Sequence, residues 1–309
     1  MKQINCNFCG SDNTKFLYET KDRMIRRNDQ KKFNIVVCKN CRLAYLNPQP
    51  EWEDLEYFYG DVYYTNAQIG NNKKSAIYNL IRKIKRAVIG PYKPKFWNFK
   101  KENGNFLDIG CGNGAYESYL IKDNSGWEFY GVEPNKNSFQ VAKNIEGFKV
   151  FNGNLKQADY PADFFDVILM SHSLEHLSDP MLSLKECYRI LKPGGHLVVN
   201  VPNFNSLARR FFGKYWFHLD APRHLFHFTP NVLEKMMEKS GFKIKQIKFE
   251  VLSGSITRSL AYRFNKDKFF FEKPIISLII HYLIFPIDRF IELIYLASGF
   301  KIIVLKKKF

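Results

Sequence analysis

The chain has 309 residues, room for one α/β core with a small appendage, and its 45% hydrophobic content is that of a soluble globular protein. A formal net charge of +17 points to an anionic partner (phosphorylated substrate, acidic lipid surface or nucleic acid), or else to a lysine-rich solvated surface. Met1-Lys2-Gln3-Ile4-Asn5 has no apolar run, so no signal peptide is expected, and six cysteines with four in two pairs suit a metal site in a reducing cytoplasm better than a disulfide framework.

In chain order, Cys6-Asn7-Phe8-Cys9 and Cys38-Lys39-Asn40-Cys41 form two C-x-x-C knuckles, each presenting two thiolates on a tight turn. Two such turns meeting give a closed tetrahedral site, so Cys6, Cys9, Cys38 and Cys41 are assigned to a structural zinc ion. Free thiols or an iron–sulfur cluster are the rival readings. Short strands expected at 15–18 and 33–37 complete a zinc ribbon over residues 1–50. Residues 51–102 follow as a linker, in which Tyr57, Tyr59, Tyr63 and Tyr64 either pack between ribbon and core or roof a substrate pocket. From Lys73 to Lys101 there are ten Lys or Arg residues and no acid, while Ile77, Leu80, Ile81, Ile84, Val88 and Ile89 recur at helical spacing. This pattern predicts a basic amphipathic helix, which lies on an anionic membrane surface or packs with its basic face solvated.

The core, 103–309, opens on Phe106-Leu107-Asp108-Ile109-Gly110-Cys111-Gly112-Asn113-Gly114, which reads as a parallel strand, a tight turn and the start of a helix at Ala115. Glycines there let a ligand lie against main chain. Gly110-x-Gly112-x-x-Ala115 also fits the pyrophosphate fingerprint of dinucleotide-binding folds. Asp108 argues the other way, because a carboxylate at this turn repels a pyrophosphate and attracts the ammonium of an amino-acid tail. A phosphate-free nucleoside with such a tail is the better fit, with Glu133 at the end of the next strand accepting the ribose hydroxyls. Further strands are expected at 148–151, 165–170, 196–201, 242–251 and 299–305, and helices at 181–191 and 230–240, with Lys192-Pro193-Gly194-Gly195 as a stop. Alternation of this kind gives a parallel sheet with ligands at the carboxyl ends of its strands. An insert at about 253–298 precedes the last strand. Its run 275–287 is polar only at Ser277 and His281 and is shorter than the roughly 20 residues a membrane span needs. Dimer interface, lid and membrane-resting hairpin all remain open for it.

The segments from Phe106 to Gly114 and from Phe129 to Glu133 resemble the first two motifs of class I S-adenosylmethionine (SAM)-dependent methyltransferases. The ribbon, continued through Tyr45, Asn47, Pro48 and Pro50 and placed ahead of such a core, resembles a large bacterial methyltransferase family found in surface-polysaccharide and sugar-modification pathways. Ser171-His172-Ser173-Leu174-Glu175-His176-Leu177-Ser178-Asp179-Pro180 is similar to that family's E-H-x-x-D-P loop. The resemblance implies an α/β, Rossmann-like class I methyltransferase fold with a seven-stranded sheet, an N-terminal zinc ribbon and an apolar insert before the last strand. It implies SAM held by Asp108, Gly110, Gly112, Gly114 and Glu133, with Asn154 and Leu155 at the adenine and His172 near the methionine moiety. Glu175 and His176 either position the helix after Pro180 or act in catalysis.

Substrate chemistry is expected from Phe211 to Pro230, a stretch dense in aromatics that holds His218, His224 and His227 beside Arg223. Aromatic faces stack on sugars, arginine clamps phosphate or carboxylate, and a histidine can remove a hydroxyl proton. His224 is the expected base, with His227 and His176 as further candidates; the alternative has His224 and His227 capping the next helix. In the related sugar C-methyltransferases a Glu-His pair stands here, and Arg223 in place of the acid favours O-methylation. The expected activity is therefore SAM-dependent O-methylation of a sugar or lipid-linked glycan, in the cytoplasm and peripherally at the inner face of the cytoplasmic membrane. An RNA methyltransferase using the ribbon on RNA, and a non-catalytic SAM-binding scaffold, are the competing readings.

Overall fold

A computed structural model describes residues 1–23, 31–59, 102–250, 252, 255–264 and 297–306. The expected basic helix, Tyr63, Tyr64 and the apolar run 275–287 lie outside these residues. The ribbon begins with β1 (Thr14–Lys21), β2 (Lys32–Cys38) and β3 (Ala44–Leu46), an antiparallel series followed by α1 (Trp52–Tyr59).

The core then runs β4 (Gly104–Ile109), α2 (Glu117–Asp123), β5 (Trp127–Glu133), α3 (Lys136–Ala142), β6 (Phe148–Asn152), β7 (Phe165–Ser171), α4 (Pro180–Ile190), β8 (Leu191–Pro202), α5 (Leu207–Phe212), β9 (Phe226–His227), α6 (Pro230–Lys239), β10 (Phe242–Glu250), α7 (Ser255–Arg263) and β11 (Gly299–Lys306). Seven of these strands form one sheet in the order β10-β11-β8-β7-β4-β5-β6, and β11 is antiparallel to both its neighbours. This is the expected Rossmann-like methyltransferase sheet. Its central strand β7 is buried along nearly its whole length, which explains why it reads as a continuous apolar run rather than an alternating one. Helix starts are set locally. Asp179 accepts from the Leu182 amide at 2.8 Å with Pro180 in the first turn, and Thr229 caps α6 ahead of Pro230 in the same way. Thr229, not His224 or His227, is therefore the cap of that helix.

Two boundaries differ from the expectation. The glycine turn continues through Tyr116, so α2 starts at Glu117 instead of Ala115. β8 begins at Leu191 directly after α4, and a register shift against β7 between Phe165 and Val167 absorbs Lys192 to Gly195, which pattern alone marks as a stop. Within the insert α7 packs on the 217–219 turn, where the Phe217 amide donates to Ser259 Oγ at 2.9 Å. Among the described residues no helix is long and apolar enough to cross a membrane.

Ribbon and core share hydrogen bonds. β9 comes from the histidine-rich loop of the core, yet it pairs with β3 and completes a four-stranded sheet, β1-β2-β3-β9. Asn7, in the first knuckle, donates to Asp179 Oδ1 at 2.9 Å and accepts from the Met181 amide at 3.0 Å. The strongest tie is Arg223, whose side chain is fully buried. Its guanidinium spans both oxygens of Asp22 at 2.8 and 3.2 Å, Asp220 Oδ1 and the Phe58 carbonyl at 2.9 Å. The arginine expected to clamp a substrate anion is thus engaged by carboxylates of its own chain. Removing one partner of a buried pair strands the others without counter-charge. Arg223→Leu is expected to cost about 3–5 kcal/mol of unfolding free energy, read by urea denaturation; a loss below about 1 kcal/mol, the size of an exposed pair, would mean that the clamp does not hold the assembly together.

Candidate active site

A cavity of about 700 Å³ opens at the carboxyl ends of the parallel strands. Of the residues expected to hold a cofactor, Gly110, Gly112, Glu133, Asn154, Leu155 and His172 line it. Glu133 ends β5 and the others follow β4, β6 or β7, so the sheet topology gathers them. Gly112 has φ +57° and nothing within 4 Å of where a Cβ would stand, which leaves open space over the main chain. Glu133 is fixed by two amides, accepting from Gly112 at 2.8 Å and from Asn135 at 2.7 Å. Gly114 is different. It lies outside the cavity lining, and a Cβ there would come within 2.5 Å of Ile145, so its role is close packing of the turn.

Asp108 also lies behind the wall, 5% exposed, with Oδ1 lacking a hydrogen-bond partner. Glu117, at the start of α2, is wholly buried and both of its carboxylate oxygens lack partners. Burial, and then the charge of Glu117, hold the Asp108 carboxyl well above its ordinary pKa, and burial raises Glu117 as well. The two carboxyls are in hydrogen-bond reach of each other, so a proton shared between them or a nearby cation must offset their charge. The ammonium of an amino-acid tail on a phosphate-free nucleoside meets that demand, whereas a pyrophosphate would worsen it. The residues present therefore fit SAM. Glu117 has no counterpart among the expected residues; its one sequence signal is an acid at the first helical position after the glycine turn.

At the other side of the cavity stand His172 and His176, with Tyr59 of α1 beside them. The Tyr59 hydroxyl lies 2.9 Å from His176 Nδ1, so this tyrosine serves the pocket while Tyr57 is largely exposed. His176 Nδ1 also lies 3.1 Å from the Arg223 carbonyl, which can only accept, so the proton sits on Nδ1 and Nε2 keeps its lone pair. Burial, and then His224, lower the His176 pKa to about 4. His224 and His227 are not among the cavity-lining residues. His224 packs edge-on behind His176 at 4.6 Å between ring centroids, with Nδ1 2.9 Å from the His218 carbonyl. His227 stacks on Phe204 at 5.1 Å, and burial, then His224, bring its pKa to about 3. Beneath them Glu175 is 1% exposed, and among the described residues its close polar partner is His172, whose Nδ1 is 3.4 Å from Oε1. Burial alone would raise Glu175, but the imidazoles of His172, His224 and His176 outweigh it and bring its pKa to about 2.

Comparison with known proteins agrees with this geometry. Residues 78–247, more than half of the chain, match the family model of a methyltransferase domain. The chain belongs to this methyltransferase family. It is similar to the ubiquinone biosynthesis O-methyltransferase of Coxiella burnetii, 32% identical over 129 residues that cover 40% of this chain and 52% of that protein. It is also similar to a demethylmenaquinone methyltransferase of a Geobacillus species, 31% identical over 99 residues, 30% of this chain and 42% of that one. The chain thus spans about half the length of the curated relatives it matches. Among solved structures, that of the 4+2 cyclase SpnF covers 84% of this chain and 97% of its own at 15% identity with a TM-score of 0.51, a likeness of fold alone.

Ahead of the methyltransferase core, the four expected cysteines converge. Cys6 and Cys41 sulfurs are 3.3 Å apart, Cys9 and Cys38 sulfurs 3.5 Å, and all four lie within 4.8 Å of one another. Each knuckle closes on a residue of positive φ, Gly10 in the first and Arg42 in the second. Four sulfurs so placed fit a closed tetrahedral zinc site.

Two outcomes are expected from these arrangements. Carboxyls with raised folded-state pKa values contribute stability present at acid pH and lost as pH rises through those values. Asp108→Asn should therefore raise the neutral-pH melting temperature of the SAM-free methyltransferase, by about 2–4 °C per kcal/mol gained, while abolishing SAM binding in calorimetry. A lower melting temperature with intact affinity would refute both assignments. Stripping metal from the cysteines with a chelator should speed amide exchange at Leu225 to Phe228 and leave SAM affinity unchanged; unaltered exchange would show that the thiolate site does not brace β9.

Proposed function

We propose that this protein is a SAM-dependent methyltransferase that methylates a hydroxyl of a small-molecule acceptor held against His176. The observation that carries the reading is that one cavity is lined both by cofactor residues and by His176, with Tyr59 at its ring nitrogen. SAM, when bound, supplies the electrophilic methyl. Glu133 would take its ribose hydroxyls and Asn154 with Leu155 its adenine, while the Asp108–Glu117 pair behind the glycine turn would favour its ammonium through the wall. In the step itself the bond from acceptor oxygen to methyl carbon forms as the carbon–sulfur bond breaks. The electron pair stays on sulfur, leaving the neutral thioether, and the hydroxyl proton passes to the imidazole wall. The Arg223 carbonyl, which can only accept, holds His176 in the tautomer whose Nε2 can accept. Most of the acceleration would come from alignment, with general-base help of about 10²–10⁴.

A His176 pKa of about 4 makes this imidazole a weak base. Such a base suits an acidic hydroxyl, and the similarity to ubiquinone biosynthesis O-methyltransferases supports a phenolic ring of the quinone type. The order of ribbon and core, by resemblance, supports a sugar or lipid-linked glycan instead. A lipid-linked acceptor of either kind would be met at the inner face of the cytoplasmic membrane, a setting that the basic run 73–101 suits. Structural zinc in the ribbon completes the reading.

The test is transfer of labelled methyl from SAM to a panel of dihydroxyphenols, nucleotide sugars and RNA. Labelled phenol or sugar product is expected. Label only in RNA would favour the nucleic-acid reading, and SAM binding without transfer to any acceptor would favour a scaffold. His176→Asn is expected to keep SAM affinity and lose about 10²–10⁴ in turnover. Since the base must be unprotonated, the acid limb of the wild-type pH–rate profile should fall only near pH 4; a limb near the ordinary histidine value would remove His176 from this role.

A further inference from the structure

Beneath the acceptor wall lies a cluster that the methyl-transfer reading does not by itself require. Glu175, His176 and His224 each offer a ligand atom, and these atoms lie within 4.8 Å of one another. They come from two segments that main chain locks together, since the Leu225 amide donates to the Glu175 carbonyl at 2.8 Å. Both imidazoles are held in the same way. His176 gives Nδ1–H to the Arg223 carbonyl and His224 gives Nδ1–H to the His218 carbonyl, which leaves an Nε2 lone pair on each. A second ring nitrogen tied to a carbonyl is the usual support of a metal-ligating histidine. Glu175 is the independent sign. A carboxylate 1% exposed is costly unless something satisfies it; His172 Nδ1 stands 3.4 Å from one oxygen, and among the described residues no lysine or arginine is paired with it.

We propose that Glu175, His176 and His224 bind a divalent transition-metal cation distinct from that of the four cysteines. One carboxylate and two imidazole nitrogens leave coordination positions open and suit Mn²⁺, Fe²⁺, Co²⁺ or Zn²⁺, whereas the cysteine site is closed and selects a soft ion. His176 belongs both to this cluster and to the cavity wall, so an open position is within reach of an acceptor there. The inference rests on the acceptor reading above for its role, though not for its existence. The cation would coordinate the acceptor hydroxyl oxygen, make it more acidic and share the charge left when the proton departs. With its Nε2 on the cation, His176 no longer serves as the base, and the proton leaves to solvent. The carbon–oxygen bond then forms and the carbon–sulfur bond breaks as before.

The experiment uses the full chain with zinc in its cysteine site, titrated with Mn²⁺ and followed by electron paramagnetic resonance. Uptake of a stoichiometric equivalent is expected, with histidine nitrogen couplings in the pulsed spectrum of the wild-type protein. Glu175→Gln and His224→Ala should each weaken Mn²⁺ by at least about 10–100-fold, the loss that even outer-shell changes cause, with SAM affinity retained as the sign of an intact fold. No Mn²⁺ uptake, or a spectrum without nitrogen coupling, would overturn the site without recourse to any variant. Mn²⁺ bound through nitrogen with no acceptor methylated leaves the cation site standing and sinks the methyl-transfer reading. Full-rate methylation in protein stripped of this ion overturns the catalytic role assigned to the cation.

Discussion

A buried guanidinium is the constraint on which the rest of the arrangement depends. Arg223 is surrounded by Asp22 at the end of the ribbon's first strand, Asp220 in its own loop and the carbonyl of Phe58 in the first helix. Each is a group that burial penalises, and the planar fork of arginine is the side chain that can satisfy several acceptors at once. The same residue acts through its main chain as well. Its carbonyl receives His176 Nδ1–H, and the next residue in the chain is His224. Phe58 is likewise followed by Tyr59, whose hydroxyl meets the same ring nitrogen. One ion cluster thus sets three groups around the acceptor wall without touching the cavity itself.

The ribbon consequently belongs to the active site more than its composition suggests. Leu225 stands between the two halves: its carbonyl accepts from Leu46 of the ribbon while its amide donates to Glu175 of the core. On the far side of the first knuckle, Asn7 braces the start of the helix that follows the E-H-x-x-D-P loop. These contacts reach the histidine side of the cavity. The glycine turn and Glu133, by contrast, are built entirely by the parallel sheet. A folded ribbon therefore bears on how an acceptor is held, and the cofactor wall can form without it.

Features encoded over a few residues were legible in the sequence. The paired cysteines and the Thr229-Pro230 helix start follow from local backbone chemistry and stand where expected, while of the glycine turn and the strand-closing acids Gly110, Gly112 and Glu133 line the cavity but Gly114 and Asp108 do not. Long-range partners were not. Asp22 and Arg223 are 201 residues apart, and nothing in either neighbourhood marks them as a pair. An arginine beside histidines and aromatics looks equally like an anion clamp or a buried strut, because sequence records charge without recording what neutralises it. Of the candidate bases, His176 lines the cavity and His224 does not: two histidines in adjacent layers differ in depth, which neither spacing nor composition encodes. Glu117 escaped because its significance depends on α2 turning it back toward Asp108, a matter of helix start and face rather than residue type.

Polar atoms left without partners are concentrated here, and their distribution has a direction. Asp108 and Glu117 form an acidic end beneath the glycine turn, while Ser173, Glu175, His218 and His227 supply unpartnered atoms around the histidine layer. Each such atom costs about 1–3 kcal/mol of folding free energy. A chain that tolerates several in one region is organised for ligands that satisfy them. The acidic end asks for a cation on a small molecule. The histidine layer, with lone pairs on two rings and an ionised carboxylate beneath, asks for a Lewis acid or a proton donor. A ligand with an ammonium at one end and an electrophilic centre towards the other can lie in this cavity in one sense only. On the proposed reading that polarity would point the methyl at the imidazoles, and it would come from what the fold leaves unsatisfied rather than from any contact it completes.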